Sequence, residues 1–518
     1  MSPNTVLVLK NLDIDYMQNN TPVRVLDGFS LELRRGEVLS LLGESGSGKS
    51  TSAKAMMGLL PPSAVISRGF MHIGDESAVD LSSSCIDWRR IRGKKIAMIY
   101  QDAQLALNPM RTIGSHFRET LRFHNIGTPK KIDAVCLEML GLLNFTDPLR
   151  AMKSYPFQLS GGMCQRVCIA LILCLQPDIL IADEPTSALD IVNQNDLLHI
   201  LNNIKKELDL SILLITHDIA VAQSASDRVV ILEKGKIIEE GETGHVFSLP
   251  KSQYTQTLLD AYNLTHRPFD YDDHSKVILK IERLYKAYRG NSNALCDVNM
   301  DVREHEIVGI LGQSGCGKST LAKCVVGLEK PNRGTIRFRE KDITNIKAKA
   351  RREICRHIQI VFQDARASLN PGRNAIQLVQ EPLKYLRIGS KNEREEKARF
   401  YLEQAGISSE LQFRRPPQLS TGQCQRIAIA RALVLEPEIL ICDEAVSSLD
   451  IKIQTQIMEL LRALHKKFGF SIIMISHDIR LVRFFCHSAV IMADGRIQKK
   501  LFAEDLKQGM EKWKSDII

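Results

Sequence analysis

The chain has no Cys-x-x-Cys pair, no apolar run near the ~20 residues that a membrane-spanning helix needs, and no basic-then-apolar pattern in its first residues. Its 12 cysteines are scattered, several inside apolar runs, which argues against a disulfide framework and indicates a reducing compartment. Cys164 and Cys168 are spaced to share a helix face, but small buried side chains explain them better than metal ligands do. We therefore expect a cytoplasmic protein that reaches a membrane only through partners.

Charge and composition exclude little else. The 518 residues carry a formal net charge of +9 with acidic residues interspersed and no basic tail. Such a surface suits anionic lipid headgroups, nucleic acid or nucleotides, and it does not choose among them. Hydrophobic residues make up 44% and charged residues 25%, as in ordinary globular proteins, so the length allows about two to four domains with sizeable cores.

The sequence repeats itself. The lysines of LGESGSGKST (Leu42–Thr51) and LGQSGCGKST (Leu311–Thr320) are 269 residues apart, and later segments recur in the same order at offsets of 262 and 260. These later pairs are YQDAQLALNP with FQDARASLNP, LSGGMCQR with LSTGQCQR, ILIADE with ILICDE, and ITHD with ISHD. A period this long indicates duplicated domains rather than a solenoid. We place the first domain at residues 1–261, a polar linker at 262–276 and the second domain at 277–518.

Each copy has the pattern of an α/β protein. Short apolar runs such as EVLSLLG, DILIAD and SILLITHD alternate with helix-like segments. Alternating strands and helices with apolar strands predict a mainly parallel sheet covered on both faces.

A glycine-rich loop follows an apolar run in each copy. Glycines allow a tight turn whose N–H groups point toward phosphate oxygens, and the helix that follows adds its positive end. The lysine reaches the β- and γ-phosphates, and the next serine offers its hydroxyl to Mg²⁺. The residues predicted to bind ATP in this way are Gly43, Ser45, Gly46, Ser47, Gly48, Lys49, Ser50 and Thr51, and in the second copy Gly312, Ser314, Gly315, Cys316, Gly317, Lys318, Ser319 and Thr320.

A pair of acidic residues ends a later apolar run in each copy. Asp183 and Asp443 are predicted to bind Mg²⁺ through water, and the adjacent Glu184 and Glu444 are candidate general bases. Such a pair is weak evidence alone, because carboxylates often cap a following helix. Its place after the glycine loop strengthens the prediction.

The order LSGGMCQR, ILIADEPTSALD and THD resembles the ATPase subunits of ATP-binding cassette (ABC) transporters, and it occurs twice over nearly the whole chain. The resemblance implies an α/β fold of two tandem P-loop nucleotide-binding domains, each a mainly parallel sheet with helices plus an antiparallel β subdomain and a helical subdomain. It implies that Gln101 and Gln363 contact metal and attacking water, that His217 and His477 contact the γ-phosphate, and that Tyr16 and Tyr288 stack on adenine. Ser187–Asp190 and Ser447–Asp450 match the D-loop of the family. The implied metal-binding residues are Ser50, Gln101, Asp183, Ser319, Gln363 and Asp443.

The resemblance also explains the duplication. In this family ATP lies between the glycine loop of one domain and the LSGG segment of the other, so we expect the two copies to pair head-to-tail within the chain. Lys49 would then face Ser420–Gln423, and Lys318 would face Ser160–Met163. The predicted residues of these segments are Ser160, Gly161 and Gly162 in the first copy, and Ser420, Thr421, Gly422 and Gln423 in the second.

Two positions depart from the family pattern. Thr421 stands where the family usually has glycine, and a β-branched residue restricts the backbone near phosphate, so we expect the ATP site that borrows this segment to be weaker. Ala445 replaces the usual proline after the glutamate, which we interpret as a subfamily trait.

The transported solute is the least defined property. The segments Leu107–Pro109 and Leu369–Pro371 are similar to importers of the peptide/nickel branch, and RPPQLS and CDEAVSSLD look closest to ATPases of nickel and metal-chelate importers. Our leading interpretation is uptake of nickel or a metal chelate across the inner membrane, with di- or oligopeptides as the alternative. The expected partners are two transmembrane permease subunits and a solute-binding protein, with no nucleic acid, and the expected location is the cytoplasmic face of the inner membrane.

Two other classes of protein fit less well. Twin-cassette translation factors carry a long charged helical linker, whereas a mostly polar segment of only 15 residues, 262–276, separates the copies here. A structural protein that binds ATP without hydrolysing it would not need both Glu184 and Glu444.

Overall fold

The apolar runs predicted as strands form a six-stranded sheet in each half of the chain. The computed structural model describes residues 4–18, 21–186, 191–263, 274–288, 291–447, 449–502 and 505. The chain divides into two compact units, Met1–Tyr262 and Asn263–Ile518. Most of the predicted linker lies outside the described residues, so the predicted domain bounds stay a prediction.

The first unit contains ten strands and eleven helices among its described residues. The strands are β1 (Thr5–Gln18), β2 (Thr21–Arg34), β3 (Val38–Leu42), β4 (Ala64–Ile73), β5 (Val79–Asp80), β6 (Ile96–Ile99), β7 (Ile179–Asp183), β8 (Ser211–Thr216), β9 (Arg228–Glu233) and β10 (Lys236–Glu242). The helices are α1 (Lys49–Met56), α2 (Trp88–Ile91), α3 (Ala103–Ala106), α4 (Ile113–Phe123), α5 (Pro129–Leu142), α6 (Pro148–Lys153), α7 (Gly161–Leu173), α8 (Ile191–Leu208), α9 (Ile219–Ala225), α10 (Thr243–Ser248) and α11 (Gln253–Tyr262). A 3₁₀ turn at Pro156–Gln158 precedes α7.

The second unit repeats this order. Its strands are β11 (Val277–Tyr288), β12 (Asn291–Arg303), β13 (Ile307–Leu311), β14 (Arg333–Phe338), β15 (Lys341–Asp342), β16 (Ile358–Val361), β17 (Ile439–Asp443), β18 (Ser471–Ser476), β19 (Ser488–Ala493) and β20 (Arg496–Leu501). Its helices are α12 (Lys318–Val326), α13 (Ala348–His357), α14 (Ala365–Ser368), α15 (Ala375–Leu386), α16 (Lys391–Gln404), α17 (Thr421–Leu433), α18 (Ile451–Phe468) and α19 (Ile479–Phe485), with 3₁₀ turns at Leu411–Phe413 and Pro416–Gln418. Among the described residues of both units, no helix combines the length and the apolar character that crossing a bilayer requires.

Each unit holds one mainly parallel sheet and one antiparallel sheet. In the first unit the six strands lie in the order β10-β9-β3-β8-β7-β6, all parallel except β10, and the antiparallel sheet has the order β2-β1-β4-β5. In the second unit the orders are β16-β17-β18-β13-β19-β20 and β12-β11-β14-β15. The predicted fold, with a parallel core, an antiparallel part and helices, is confirmed.

The central strand β3 shows why the sequence folds this way. All five of its residues are buried, as expected for a parallel strand covered on both faces. Val38 packs with the helices α4–α8 on one face, whereas Leu39 and Leu41 pack with α1 and the antiparallel sheet on the other. In the second unit Ile307 and Val308 divide between the two faces in the same way. The six-stranded sheet thus separates a helical core from a core that contains the glycine loop's helix.

Cys164 and Cys168 are packed thiols. The Cys164 Sγ donates to the Pro156 carbonyl oxygen at 3.5 Å, and the Cys168 Sγ donates to the Ala103 carbonyl oxygen at 3.7 Å. Burial raises the pKa of the Cys168 thiol to about 12, so the thiolate that a metal would need is disfavoured. This agrees with the structural interpretation made from the sequence.

A buried carboxylate fixes the last helix of the first unit. Glu239 on β10 is 8% exposed and accepts hydrogen bonds from the Lys251 and Ser252 backbone N–H groups and from the Thr255 hydroxyl, at 2.9, 3.0 and 2.7 Å. Burial alone would raise the pKa of Glu239, but these hydrogen bonds outweigh it and the pKa is lowered. The carboxylate therefore fastens the amino-terminal turn of α11 to the sheet.

Replacing Glu239 by alanine should destabilise this attachment by about 1–3 kcal/mol, because three donors would lose their acceptor. The measurement is hydrogen exchange of the α11 amides, with Glu240→Ala on the neighbouring exposed residue as the matched control. Because the pKa of Glu239 is lowered on folding, the difference should be present at neutral pH and should shrink as the pH falls below about 4. Equal exchange rates in the two variants at neutral pH would show that the carboxylate does not hold the helix.

Candidate active sites

The four segments predicted to carry chemistry follow one edge of each six-stranded sheet. The strands β3, β8, β7 and β6 are parallel neighbours, so their carboxyl ends lie side by side at the usual spacing of about 4.8 Å. The register pairs Leu42 with Thr216 and Asp183 with Ile215, which brings these ends level. The groups that follow the strand ends, in sheet order, are the glycine loop, His217, Glu184 and Gln101, and in the second unit the glycine loop, His477, Glu444 and Gln363.

The glycine loops have no room for side chains at two positions each. A Cβ on Gly43 would lie 2.3 Å from the Leu232 carbonyl oxygen, and one on Gly312 would lie 2.2 Å from the Met492 carbonyl oxygen. Gly48 and Gly317, with φ angles of 106° and 108°, start α1 and α12 in the left-handed region that disfavours other residues. The loop tips are exposed at Ser45, Gly46, Ser314 and Gly315, whereas Ser47 and Cys316 are buried. The backbone can therefore approach an anion closely, as a phosphate cradle requires.

The two loop lysines are buried cations. Lys49 Nζ donates to the Gly43 and Glu44 carbonyl oxygens at 2.7 and 2.8 Å, and Lys318 Nζ donates to the Gly312 and Gln313 carbonyl oxygens at 2.8 and 2.7 Å. Within the part of the chain that the structure describes, no carboxylate forms an ion pair with Lys318. A buried ammonium held by backbone carbonyl oxygens at the base of a glycine loop fits a phosphate.

A hydroxyl and a carboxylate meet beside each lysine. Ser50 Oγ donates to Asp183 at 2.8 Å, and Ser319 Oγ donates to Asp443 at 2.9 Å. Burial raises the pKa of both aspartates, and the serine hydrogen bonds oppose this only in part. Thr51 and Thr320 follow the serines, half-buried in the first turn of α1 and α12. A nearby cation would stabilise the ionised form of these buried aspartates. Carboxylate and hydroxyl oxygens are also the ligands that Mg²⁺ prefers, so each Ser–Asp pair fits Mg²⁺.

Glu184 lies between two partners. His217 Nδ1 is 3.0 Å from Glu184 Oε1, and Gln101 Nε2 donates to Glu184 Oε2 at 2.8 Å. Burial would raise the pKa of Glu184, but the His217 hydrogen bond and nearby charges outweigh it, and the pKa is lowered. The Glu184 carboxylate is therefore ionised, and each of its two oxygens has a side-chain partner. An ionised and positioned carboxylate can act as a general base.

The second unit holds Glu444 differently. His477 Nδ1 is 3.6 Å from Glu444 Oε1. The attraction between the two side chains lowers the pKa of Glu444 and raises the pKa of His477. Among the residues that the structure describes, Gln363 makes no hydrogen bond to Glu444, in contrast to Gln101 and Glu184. The two copies thus differ in how the glutamine segment is attached to the base.

Comparison with known proteins agrees with this geometry. The sequence profile described as ABC transporter matches residues 26–187 and 295–447. The chain belongs to the ABC transporter family. It is an ATPase with two ATP-binding cassettes that couples ATP hydrolysis to transport, and the units above are its first and second cassettes.

Three relatives cover most of the chain. It is 35% identical to the uncharacterized ABC transporter ATP-binding protein YejF of Escherichia coli (strain K12), over 95% of both chains. It is 32% identical to the glutathione import ATP-binding protein GsiA of Pectobacterium atrosepticum, over 95% of this chain and 85% of that one. It is 34% identical to the peptidoglycan transport ATP-binding protein YejF of Agrobacterium fabrum, over 95% of this chain and 92% of that one.

The LSGG segments of both cassettes begin helices. Ser160 caps α7 by accepting from the Met163 N–H at 3.3 Å, and Ser420 caps α17 by accepting from the Gln423 N–H at 3.2 Å. The Gln423 side chain also accepts from the Ser420 N–H at 2.9 Å, a capping box that Met163 cannot make. Thr421 is exposed at the first helical position of α17, where Gly161 stands in α7. Gly162 and Gly422 occupy the second positions, and a Cβ on Gly422 would lie 2.8 Å from the Ile453 side chain.

Each LSGG segment lies in a different part of its cassette from the glycine loop. Helix α7 packs in the helical core, whereas α1, which the glycine loop begins, packs in the core with the antiparallel sheet. This arrangement is compatible with an ATP site completed by the other cassette. The predicted pairing of the cassettes and the weaker site beside Thr421 stay predictions.

The remaining predicted residues differ between cassettes. Tyr16 is half-buried against the core beneath the antiparallel sheet, whereas Tyr288 is 44% exposed with Lys286 Nζ 5.0 Å from its ring centre. The first D-loop, Ser187–Asp190, lies outside the described residues, as does Ser448 of the second. Ser447 Oγ donates to the Glu444 carbonyl oxygen at 3.0 Å.

Three features were not found from the sequence. Glu184 and Glu444 have φ angles of 48° and 49°, a left-handed conformation that costs of order 1–3 kcal/mol and is concentrated at functional sites. Asp218 caps α9 directly after His217, and Asp478 caps α19 directly after His477. These caps fix the backbone that carries the two histidines. The third feature is the Gln101–Glu184 hydrogen bond. A THD or SHD triplet signals the caps, whereas neither the φ angles nor the glutamine contact has a local sequence signal.

Proposed function

We propose that this chain is the ATP-hydrolysing subunit of an importer for small peptides or peptide-like solutes. The observation that carries the proposal is the near full-length similarity to proteins named for glutathione import and peptidoglycan transport. Glutathione is a small peptide and peptidoglycan contains short peptides, so a peptide-like solute is what these relatives share. The relatives' names thus favour the peptide alternative, and they give no support to nickel, a metal chelate or a translation factor.

The partners follow from the same similarity. Relatives that are ATP-binding subunits of importers imply membrane permeases, and we propose two permease subunits and a solute-binding protein. The chain would then lie on the cytoplasmic face of the inner membrane, held there by the permeases.

We assign the nucleotide and its metal ion to the residues whose contacts fit them. The glycine loops and Lys49 or Lys318 would hold the phosphates of ATP, and Ser50 with Asp183, or Ser319 with Asp443, would hold Mg²⁺. When bound, Mg²⁺ supplies positive charge that offsets the charge developing on phosphate oxygens. Tyr16 and Tyr288 are the proposed adenine contacts.

The proposed reaction depends on four side chains in each cassette. Glu184 or Glu444 accepts a proton from the attacking water, for which its lowered pKa keeps it ionised at neutral pH. His217 or His477 orients that carboxylate. In the first cassette Gln101 donates to Glu184 Oε2 and holds the base in place, while the carboxylate keeps further lone pairs that can accept the proton.

Head-to-tail pairing of the cassettes completes this proposal. The first turns of α7 and α17 have N–H groups that are not used within the helix, and such groups stabilise the negative charge of a γ-phosphate. We propose that α17 serves the Lys49 site and α7 serves the Lys318 site.

Deleting the gene should reduce uptake of radiolabelled glutathione or alanyl tripeptides at least tenfold and leave uptake of ⁶³Ni²⁺ unchanged. Re-expression of the native chain should restore peptide uptake, whereas the Glu184→Gln/Glu444→Gln chain should not. Loss of ⁶³Ni²⁺ uptake with normal peptide uptake would contradict the proposed solute. It would instead support uptake of nickel or a metal chelate.

A further inference from the structure

The second cassette places a lysine against its proposed adenine contact. Lys286 and Tyr288 lie two residues apart on β11, the spacing at which side chains share one face of a strand. Lys286 Nζ lies over the Tyr288 ring, 5.0 Å from the ring centre. This is the geometry of a cation–π contact, in which an ammonium is attracted to the negative face of an aromatic ring.

Two acceptors fix the position of this lysine. Lys286 Nζ donates to the Lys330 carbonyl oxygen at 2.8 Å and lies 2.8 Å from Glu329 Oε2. The hydrogen bond to Glu329 raises the pKa of Lys286, so the ammonium is charged at neutral pH. An ammonium has three N–H donors, and these two acceptors leave the third for the face of the ring.

The acceptors belong to the segment that follows the glycine loop's helix. The Glu329 N–H donates to the Lys323 carbonyl oxygen of α12 at 3.1 Å, which holds Glu329 at the end of that helix. Helix α12 begins at Lys318, the lysine proposed to hold the phosphates. Lys286 therefore links the ring of Tyr288 to the element that carries the phosphate-binding lysine.

The Tyr288 ring still has surface for a ligand. The residue is 44% exposed, although Lys286 lies over one face of its ring. A planar base can stack on the remaining face, because aromatic rings stack in offset, face-to-face geometry. A cation held over the opposite face limits the orientations of the ring, so the stacking surface is prepared before the base arrives.

The first cassette has apolar side chains at the same place. Two residues before its tyrosine it has Ile14, where the second cassette has Lys286. By the offset of the glycine loops, Leu60 corresponds to Glu329. Ile14 is buried, and Leu60 packs against the same core. An ion pair in the second cassette therefore stands where the first has an apolar pair.

We propose that Lys286 is a positioning residue for adenine at the second ATP site: held by Glu329, it fixes the ring of Tyr288 as the surface on which the base stacks. The two ATP sites then bind the base with different affinity. This inference rests on the proposed binding of adenine against Tyr288. It depends neither on the solute nor on the membrane partners.

Displacement of methylanthraniloyl-ATP from the full-length chain tests the proposal. All chains carry Lys49→Ala, which removes the phosphate-binding lysine of the first site, and Glu444→Gln, which prevents hydrolysis at the second. Lys286→Ile should weaken the binding of ATP about three- to tenfold, as expected for loss of a cation–π contact. The binding of inorganic tripolyphosphate, which has no base, should be unchanged. Lys286→Arg, which keeps a cation, should recover most of the ATP affinity.

Three further variants make the test specific. Lys280→Ile is the matched control, because Lys280 forms an ion pair with Glu282 at 2.9 Å near the start of the same strand, and it should bind ATP normally. Tyr288→Ala should lose at least as much ATP affinity as Lys286→Ile. Lys286→Ile combined with Tyr288→Ala should bind ATP no more weakly than Tyr288→Ala alone, because the lysine acts through the ring.

Equal losses for ATP and tripolyphosphate in Lys286→Ile would overturn the proposal, because the lysine would then support the glycine loop rather than the base. Unchanged ATP binding in Lys286→Ile, with a loss in Tyr288→Ala, would also overturn it and would leave the adenine contact in place. Unchanged ATP binding in Tyr288→Ala would remove the adenine assignment itself, and the role of Lys286 with it.

Discussion

Replacing Glu184 and Glu444 together by glutamine is expected to reduce the steady-state rate of ATP hydrolysis by about 10²–10⁴-fold, the usual contribution of a general base, while nucleotide binding persists. Both carboxylates follow the last residue of a buried strand, and each is within reach of a histidine. Their backbones are in the left-handed region, which places the side chain at the sheet edge beside the lysine and the aspartate. Glutamine keeps the shape of the side chain and one acceptor oxygen, replaces the second oxygen by an NH₂ donor, and cannot accept a proton at neutral pH.

Two measurements and a control variant make this prediction specific. Turnover is followed by phosphate release, and nucleotide binding is followed by equilibrium titration with a fluorescent ATP analogue. Glu240→Gln, on an exposed residue of β10, is the control for the loss of one carboxylate and should have the native rate. A double variant that hydrolyses ATP at the native rate would remove both glutamates from the catalytic role. A variant that no longer binds nucleotide would instead show that they maintain the loop structure.

The fold was predictable from the sequence because its signals are local. Apolar runs such as that of β3, in which Ser40 is the one polar residue, show no polar–apolar alternation, which predicts a parallel strand buried on both sides. The pairing of Ser50 with Asp183 was also predictable, because β3 and β7 are parallel strands of one sheet, separated only by β8, and their carboxyl ends lie at the same edge.

What the sequence did not predict depends on contacts between distant segments. Gln101 and Glu184 are 83 residues apart, and their hydrogen bond depends on the conformation of a loop rather than on a strand register. The same loop in the second cassette makes no such bond in the described residues, although both glutamines and both glutamates are present.

The largest expected contrast between two variants concerns the pairing of the cassettes. Lys49→Ala combined with Ser420→Arg should keep the turnover of Lys49→Ala alone, whereas Lys49→Ala combined with Ser160→Arg should fall to about a hundredth of that rate or less. In the proposed head-to-tail arrangement, Lys49 and Ser420 belong to one ATP site, and Ser160 belongs to the other. The first combination therefore damages one site twice, whereas the second damages both. Arginine at either serine removes the helix cap and adds a large side chain at the first turn.

The reciprocal pair, Lys318→Ala with Ser160→Arg against Lys318→Ala with Ser420→Arg, is the internal control and should give the same contrast. If one damaged site already stops turnover of both, bound nucleotide still separates the combinations: one tightly held nucleotide per chain is expected in the first combination and none in the second. The opposite pattern, with Lys49 and Ser160 forming the additive pair, would mean that each cassette completes its own site. That outcome would remove the reason for carrying two cassettes in one chain, because neither would then need residues of the other to close around ATP.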